Sequence, residues 1–313
     1  MNINLAIAER ARAGETLTVA EIDELGSSDI LSLGMLADEV RRARVGETVT
    51  YARVTEITQA GPPSRPEAAT ARSRRSSPDL ERAEADAAGV EIRITALPAT
   101  LDEAEELIAA TKMLAGPQLL TGFSLAEIAD RHWGKLVDVL DRLKRAGLDA
   151  IAEAPIDQLR DAEDALGACL DAGLPVRCLS LQSPIAVDGR SSWLIHLRDL
   201  LKKFPLIDTV NPLSREQSIA VPTTGYEDVR AVALARLVLS VKNIQVDWAQ
   251  YGPKLAQVAL TFGANDLDRV STTDDASLGA RRTSVEDVRR NIAAAGFIAV
   301  DRTSVDSLRT SRE

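Results

Sequence analysis

Apolar positions in this chain alternate between two rhythms. Short, mostly apolar runs of strand length give way to longer stretches in which apolar residues recur every three or four positions, and the pair then repeats. GVEIRITAL precedes the amphipathic TLDEAEELIAATKML, and PQLLTGF precedes HWGKLVDVLDRLKRAG, where Leu136, Val139, Leu140 and Leu143 make one stripe. LDAIAEA leads to IDQLRDAEDALGACLDAG, PVRCLSLQ to SWLIHLRDLLKKF, LIDTVNPL to YEDVRAVALARLVL, and NIQVDW to PKLAQVALTFG. Several of these helices should stop at Gly147, at Gly173, or at Phe204 before Pro205, as glycine and proline require.

The opening differs. In ILSLGMLADEVRRAR, Ile30, Leu33, Leu36, Ala37 and Val40 share a helical face, and GETVTYARVTEI then reads as a first strand. Repeated β–α units with short connections give a parallel sheet with helical crossovers. Six or more in a row, without a GxGxxG turn, favour a closed barrel over a doubly wound sheet. The expected fold is therefore α/β, a TIM-like (β/α) barrel over residues 46–313 behind an N-terminal helical segment over residues 1–45. One stretch breaks the pattern. Gly61–Pro78 holds four prolines, four serines and four arginines, and no apolar side chain larger than alanine, so residues 60–78 are expected to form a mobile loop.

Composition narrows the function. The net charge of −10 repels a phosphate backbone and argues against nucleic-acid binding. No apolar run approaches the roughly 20 residues of a membrane span, and the N-terminus lacks the basic-then-apolar order of a signal peptide, so a cytoplasmic location is expected. The two cysteines, Cys169 and Cys178, cannot supply the three or four ligands of a cluster or structural zinc. His132 and His196 have no second histidine at ligand spacing. No metal and no cofactor are expected.

Several segments resemble the radical-SAM enzymes of the futalosine route to menaquinone, aminofutalosine synthase and dehypoxanthine futalosine cyclase, and the related deazaflavin-precursor synthases. The resemblance runs through ILSLGMLADEVRRARVGETVTYAR, through LTGFSLAEIADRHWGKLVDVLDRLKRAGLDAI, and most specifically through Pro222–Asp268, with NIQ-x-x-W-x-x-x-G and GAND-x-D. It implies a radical-SAM-type barrel. The family's first strand opens into a CxxxCxxC loop whose thiolates hold a [4Fe–4S] cluster, whereas here YARVTEIT runs into GPPSRPEAATARSRRSSP without a cysteine. The family's glycine-rich turns for S-adenosylmethionine are replaced by Thr95-Ala96-Leu97 and by Ala152-Glu153-Ala154. The resemblance therefore implies a barrel that does no radical-SAM chemistry.

Side chains at the C-terminal ends of barrel strands face the site. On that rule Glu56, Glu153 and Asp247 are the candidate acid–base residues, and Thr58, Thr95, Thr121, Ser180, Gln182, Asn211, Gln245 and Trp248 are candidate substrate contacts. Asn265 and Asp266 of GAND could order a loop over the mouth or bind substrate hydroxyls, or simply form a turn. Thr224 in PTTG could cap the helix that follows. Two functions remain open. The first is a non-catalytic binding or accessory subunit related to menaquinone biosynthesis, paired with an active radical-SAM homologue or with itself. The second is an enzyme using the pocket for lyase, hydrolase or isomerase chemistry on a chorismate-derived or nucleoside-like molecule. A third reading, thiolates borrowed from a partner chain, fails because the glycine contacts are missing too.

Overall fold

A computed structural model describes residues 3–58, 90–131, 133–216, 224–272 and 285–302. The proline- and arginine-rich segment expected as a loop, and His132, lie outside the described residues.

Eight parallel strands close into a barrel: β1 (Thr48–Ile57), β2 (Val90–Ile94), β3 (Leu120–Ser124), β4 (Ala150–Pro155), β5 (Leu179–Leu181), β6 (Thr209–Ser214), β7 (Asn243–Asp247) and β8 (Asp266–Ser271). Each pairs with its successor in chain order, and β1 pairs with both β2 and β8. The sequence rhythm explains why. Leu120, Ile151, Leu179, Val210, Ile244, Val246 and Leu267 belong to the apolar layer shared by the sheet and the surrounding helices. Those helices are α4 (Leu101–Ala115), α5 (Leu125–Asp130), α6 (Leu136–Ala146), α7 (Ala162–Ala172), α8 (Arg190–Lys203), α9 (Gly225–Val238), α10 (Trp248–Leu260) and α11 (Val285–Ala294). Thr100 and Glu103 form a reciprocal capping box on α4, while Gly147 and Gly173 end α6 and α7 in left-handed backbone. Thr224 caps α9 by accepting from the Glu227 amide. Helix α10 starts earlier than the sequence suggests, at Trp248, and breaks at Gly252-Pro253.

Three helices precede the barrel: α1 (Leu5–Arg12), α2 (Val19–Gly26) and α3 (Ile30–Val45). α3 lies against α9, and Gly34 is required there because a Cβ would stand 2.6 Å from the Phe262 ring.

One strand escaped the sequence reading. β9 (Ile298–Asp301) pairs with Thr48–Tyr51 of β1, and β2 pairs with Arg53–Ile57 of the same strand. β9 and β2 thus lie end to end along β1, and Arg53 of β1 is tied to β9 by an ion pair with Asp301. No helix among the described residues is long and apolar enough to cross a membrane.

Candidate active site at the barrel mouth

Barrel strands point alternate residues inward, and in this chain the inward residues are polar. The interior carries a buried ion-pair lattice. Arg93 on β2 donates to Glu91 (2.6 Å) and to Asp268 (2.7 Å). Arg302, which follows β9, reaches Asp266 (2.7 Å) and Asp268 (3.3 Å). Thr121 donates to Glu91, and Gln245 donates to Asp266. Burial would raise both carboxyls, but the guanidiniums of Arg93 and Arg177 around Glu91, and of Arg93 and Arg302 around Asp268, outweigh it, so Glu91 and Asp268 sit below the usual carboxylate range.

That depression sets a pH dependence. A carboxyl held below its unfolded value, about 4 for Asp and Glu, contributes stability above that pH and loses it as the pH falls through the folded value. Glu127 has the opposite sign: burial, then nearby Glu153, push it up against the pull of the Ser124 amide. Two depressed interior carboxyls outweigh one raised one at the mouth. The melting midpoint should therefore decline as the pH drops below about 4, as a pH series of thermal melts would show.

A second layer lies above the lattice, at the C-terminal ends of the strands. Arg215, just past β6, grips Glu153 (2.7 Å) and also pairs with Asp247. Arg269 on β8 pairs with the same Asp247 (3.0 Å) and with Glu56 (2.7 Å). Glu153, Arg215, Asp247, Arg269 and Glu56 form a continuous arc from β4 to β1. Asp247 is its buried centre, and its other oxygen caps α10 through the Gln250 amide.

The arc borders a cavity of about 670 Å³, whose walls include Thr95, Phe123, Ser124, Glu127, Asp130, Gln158, Gln182, Glu216 and Gln250. Among the described residues, five carboxylates (Glu56, Glu127, Asp130, Glu153, Glu216) face three guanidiniums (Arg93, Arg215, Arg269), so this lining is net acidic. Alternating donors and acceptors suit a neutral, hydroxyl-rich ligand, while the acidic excess works against a phosphorylated one.

The structure sorts the candidates from sequence into three groups. Glu56, Glu153, Thr95 and Gln182 line the cavity. Asp247 lies just beneath it, and Thr121, Ser180, Asn211, Gln245 and Asp266 are buried. Among them, Ser180 Oγ, Asn211 Nδ2 and Gln245 Oε1 have no hydrogen-bond partner among the described residues. The remaining expectations need correction. Thr58 is exposed and does not line the cavity. Trp248 is wholly buried in the apolar layer. Asn265 sits at the base of β8, where it accepts from Arg236 (2.5 Å) and the Ile244 amide (2.9 Å) and donates to Asn243 (3.0 Å). GAND is thus a structural clamp and neither a loop over the mouth nor a simple turn. Its Gly263 has φ +106°, and a Cβ there would stand 2.8 Å from Arg236 Cβ.

Sequence reasoning missed the arginines. Arg93 was visible in principle, as an inward position of EIRIT two residues from Glu91. Arg215 and Arg269 carried no such signal. Glu127 and Asp130, on a helix that begins directly at the end of β3, were also missed.

The residues do not fit a [4Fe–4S] cluster held by this chain, because there are only two thiols and neither lines the cavity. Cys169 lies on α7, its thiol pushed up to about 12 by burial. Cys178 is buried just before β5, donates to the Leu179 carbonyl, and is likewise pushed up by burial. Both are held protonated and poorly suited to binding iron. At the end of β2, Thr95 binds the Ile57 carbonyl through its backbone and its hydroxyl.

Residues 201–312 match the family model described as CofH/MqnC C-terminal region. Two relatives are named 5-amino-6-(D-ribitylamino)uracil--L-tyrosine 4-hydroxyphenyl transferase. The one from Methanosarcina barkeri (number 2 of that name) is 30% identical over 178 residues, 45% of this chain and 46% of that protein. The one from Methanopyrus kandleri is 29% identical over 246 residues, 66% of each. The chain thus spans about half to two thirds of the length of these relatives. Among solved structures, the [FeFe]-hydrogenase maturase HydG superposes with a TM-score of 0.67 at 12% identity, covering 98% of this chain and 77% of that one. The chain carries a radical-SAM-type TIM-like barrel fold. The expected menaquinone-linked, non-catalytic accessory role is overturned: the relatives are named for ribitylaminouracil and tyrosine, and none of these likenesses points to a non-catalytic role.

Proposed function

We propose that the barrel mouth binds a molecule of the kind named for its relatives, a ribityl-bearing aminouracil, without an iron–sulfur cluster held by this chain. The observation that carries the proposal is where the mouth's polar groups lie. Arg215, Gln250 and Arg269 belong to the segment matched by the family model and build one wall of the cavity, and Asp247 of the same segment pairs with both arginines from beneath. The cavity is of ordinary ligand size. A ribityl chain can donate to Glu153 and Glu127 and accept from Arg215 and the glutamine amides. A pyrimidinedione ring offers carbonyls and ring N–H groups to the same alternating wall. The acidic excess matches the absence of a phosphate from that compound.

Direct titration tests this. Purified protein is assayed for iron and acid-labile sulfide, then titrated calorimetrically with 5-amino-6-(D-ribitylamino)uracil and separately with L-tyrosine. The aminouracil should bind, and at 100 times its dissociation constant it should stabilise the fold by about 2.7 kcal/mol. Iron should stay far below stoichiometric even after reconstitution. Absence of aminouracil binding up to millimolar concentration would sink the ligand assignment, and one cluster per chain would sink the cluster-free one.

A further inference from the structure

β8 departs from strict alternation at one place. Tyr51 pairs with Leu267, but Arg53 pairs with Val270, so β8 holds one extra residue over this interval. Within the bulge Arg269 has φ +56°, and Arg269 and Phe123 are the two non-glycine residues with positive φ among the described residues. Leu267 and Val270 belong to the apolar layer outside the barrel, while Asp266 and Asp268 pair with interior arginines. An unbulged strand would send Arg269 outward. The bulge turns it inward instead, so two consecutive residues, Asp268 and Arg269, both serve the interior. Left-handed backbone at an arginine costs free energy that a glycine there would not incur, and such strain concentrates at functional sites.

Arg269 is held but not used up. Its Nη1 donates to Asp247 and its Nη2 to Glu56, while its Nε, 2.7 Å from Glu56, has no hydrogen-bond partner among the described residues. Its side chain stays 31% exposed and that of Glu56 25%, whereas Asp247 beneath them is fully covered. The cavity therefore meets a guanidinium donor and a carboxylate acceptor side by side, in an orientation fixed from below.

We infer that Arg269 and Glu56 form a specificity subsite that reads a ring amide edge, a carbonyl adjacent to an N–H, with Arg269 donating to the oxygen and Glu56 accepting from the nitrogen. This rests on the aminouracil reading above and adds which residues recognise the ring. The ribityl chain then extends toward Glu153 and Glu127 on the opposite wall.

The test compares the aminouracil with its analogue methylated on the imide nitrogen, titrated into wild type, Arg269→Ala, Arg269→Gly and Glu56→Gln. Methylation should weaken wild-type binding by about 10- to 100-fold, the range expected for losing a charge-assisted hydrogen bond. Glu56→Gln and Arg269→Ala should each weaken the parent compound by a similar factor, and Glu56→Gln should also lose most of the penalty for methylation. Arg269→Gly relieves the left-handed strain and should melt no lower than Arg269→Ala while binding just as poorly, which separates recognition from folding. If wild type binds both compounds equally, or the variants bind the parent as wild type does, the subsite is wrong while the aminouracil reading stands. If wild type binds neither compound, both fall.

Discussion

Asp268→Ala should be among the most damaging single substitutions in this protein, lowering the melting midpoint on the order of 10 °C. Asp268 accepts from Arg93 and Arg302 inside the barrel and is nearly inaccessible to solvent. Removing it strands two buried guanidiniums. Arg93 keeps Glu91 and Arg302 keeps Asp266, but neither can follow the lost carboxylate into water. Breaking a buried ion pair from one side costs about 3–5 kcal/mol, and about 2–4 °C of midpoint accompanies each kcal/mol in a chain approaching this size. The control is the double variant Asp268→Leu with Arg93→Met. Replacing charged partners together by apolar groups of similar volume is far less costly than removing one, so the double variant should melt above the sum of its singles. Additive losses would show that the lattice is not coupled as its distances imply.

Asn265→Ala ranks second, at about 2–4 kcal/mol, because it removes an acceptor from a buried charged donor. Arg236 is fully buried on α9, its guanidinium pushed down to about 9 by burial and by the neighbouring charges of Arg44 and Arg41. It holds the base of the barrel by donating to the Gly263, Val241 and Lys242 carbonyls and to the Asn265 side chain. Asn265→Asp keeps the acceptor and loses only the donation to Asn243, so it should fall between wild type and the alanine variant. Differential scanning calorimetry gives the order. The folded fraction of Asn265→Ala should bind the aminouracil as wild type does, since this side chain lies at the end of the barrel opposite the mouth. Weakened binding at full folding would return Asn265 to the site.

These two residues also mark how far the sequence could be read. The barrel was legible because each strand's outward face is apolar and each helix repeats its apolar stripe. Gly147, Gly173 and Thr224 added terminators and a cap where the rhythm called for them. The interior was not legible, since Glu91, Arg93 and Asp268 look like solvent-facing positions in the pattern and become core only once the strands close. Counting to strand ends led to Glu56, Glu153, Thr95 and Gln182, which line the cavity. Arg215 lies one residue beyond β6, and Arg269 turns inward through a bulge that no periodicity announces. The strongest motif misled for a related reason. GAND looks like chemistry because it is specific, but Gly263 and Asn265 are specified by a close approach to Arg236.

The end-to-end placement of β9 and β2 also constrains the order in which the barrel can form. Thr48 meets Ile298 and Arg53 meets Val90, so two adjacent stretches of one strand find their neighbours at very different distances along the chain. As the polypeptide leaves the ribosome, the upper half of β1 can pair early, while its lower half must wait until nearly every other strand has been made. Until then Tyr51 and Arg53 lie at an unfinished seam, and the interior lattice lacks Arg302. Closure of the barrel is thus a late, long-range event, which places this molecule among slow folders dominated by non-local contacts. It also makes the nascent chain dependent on whatever shields an open seam during synthesis.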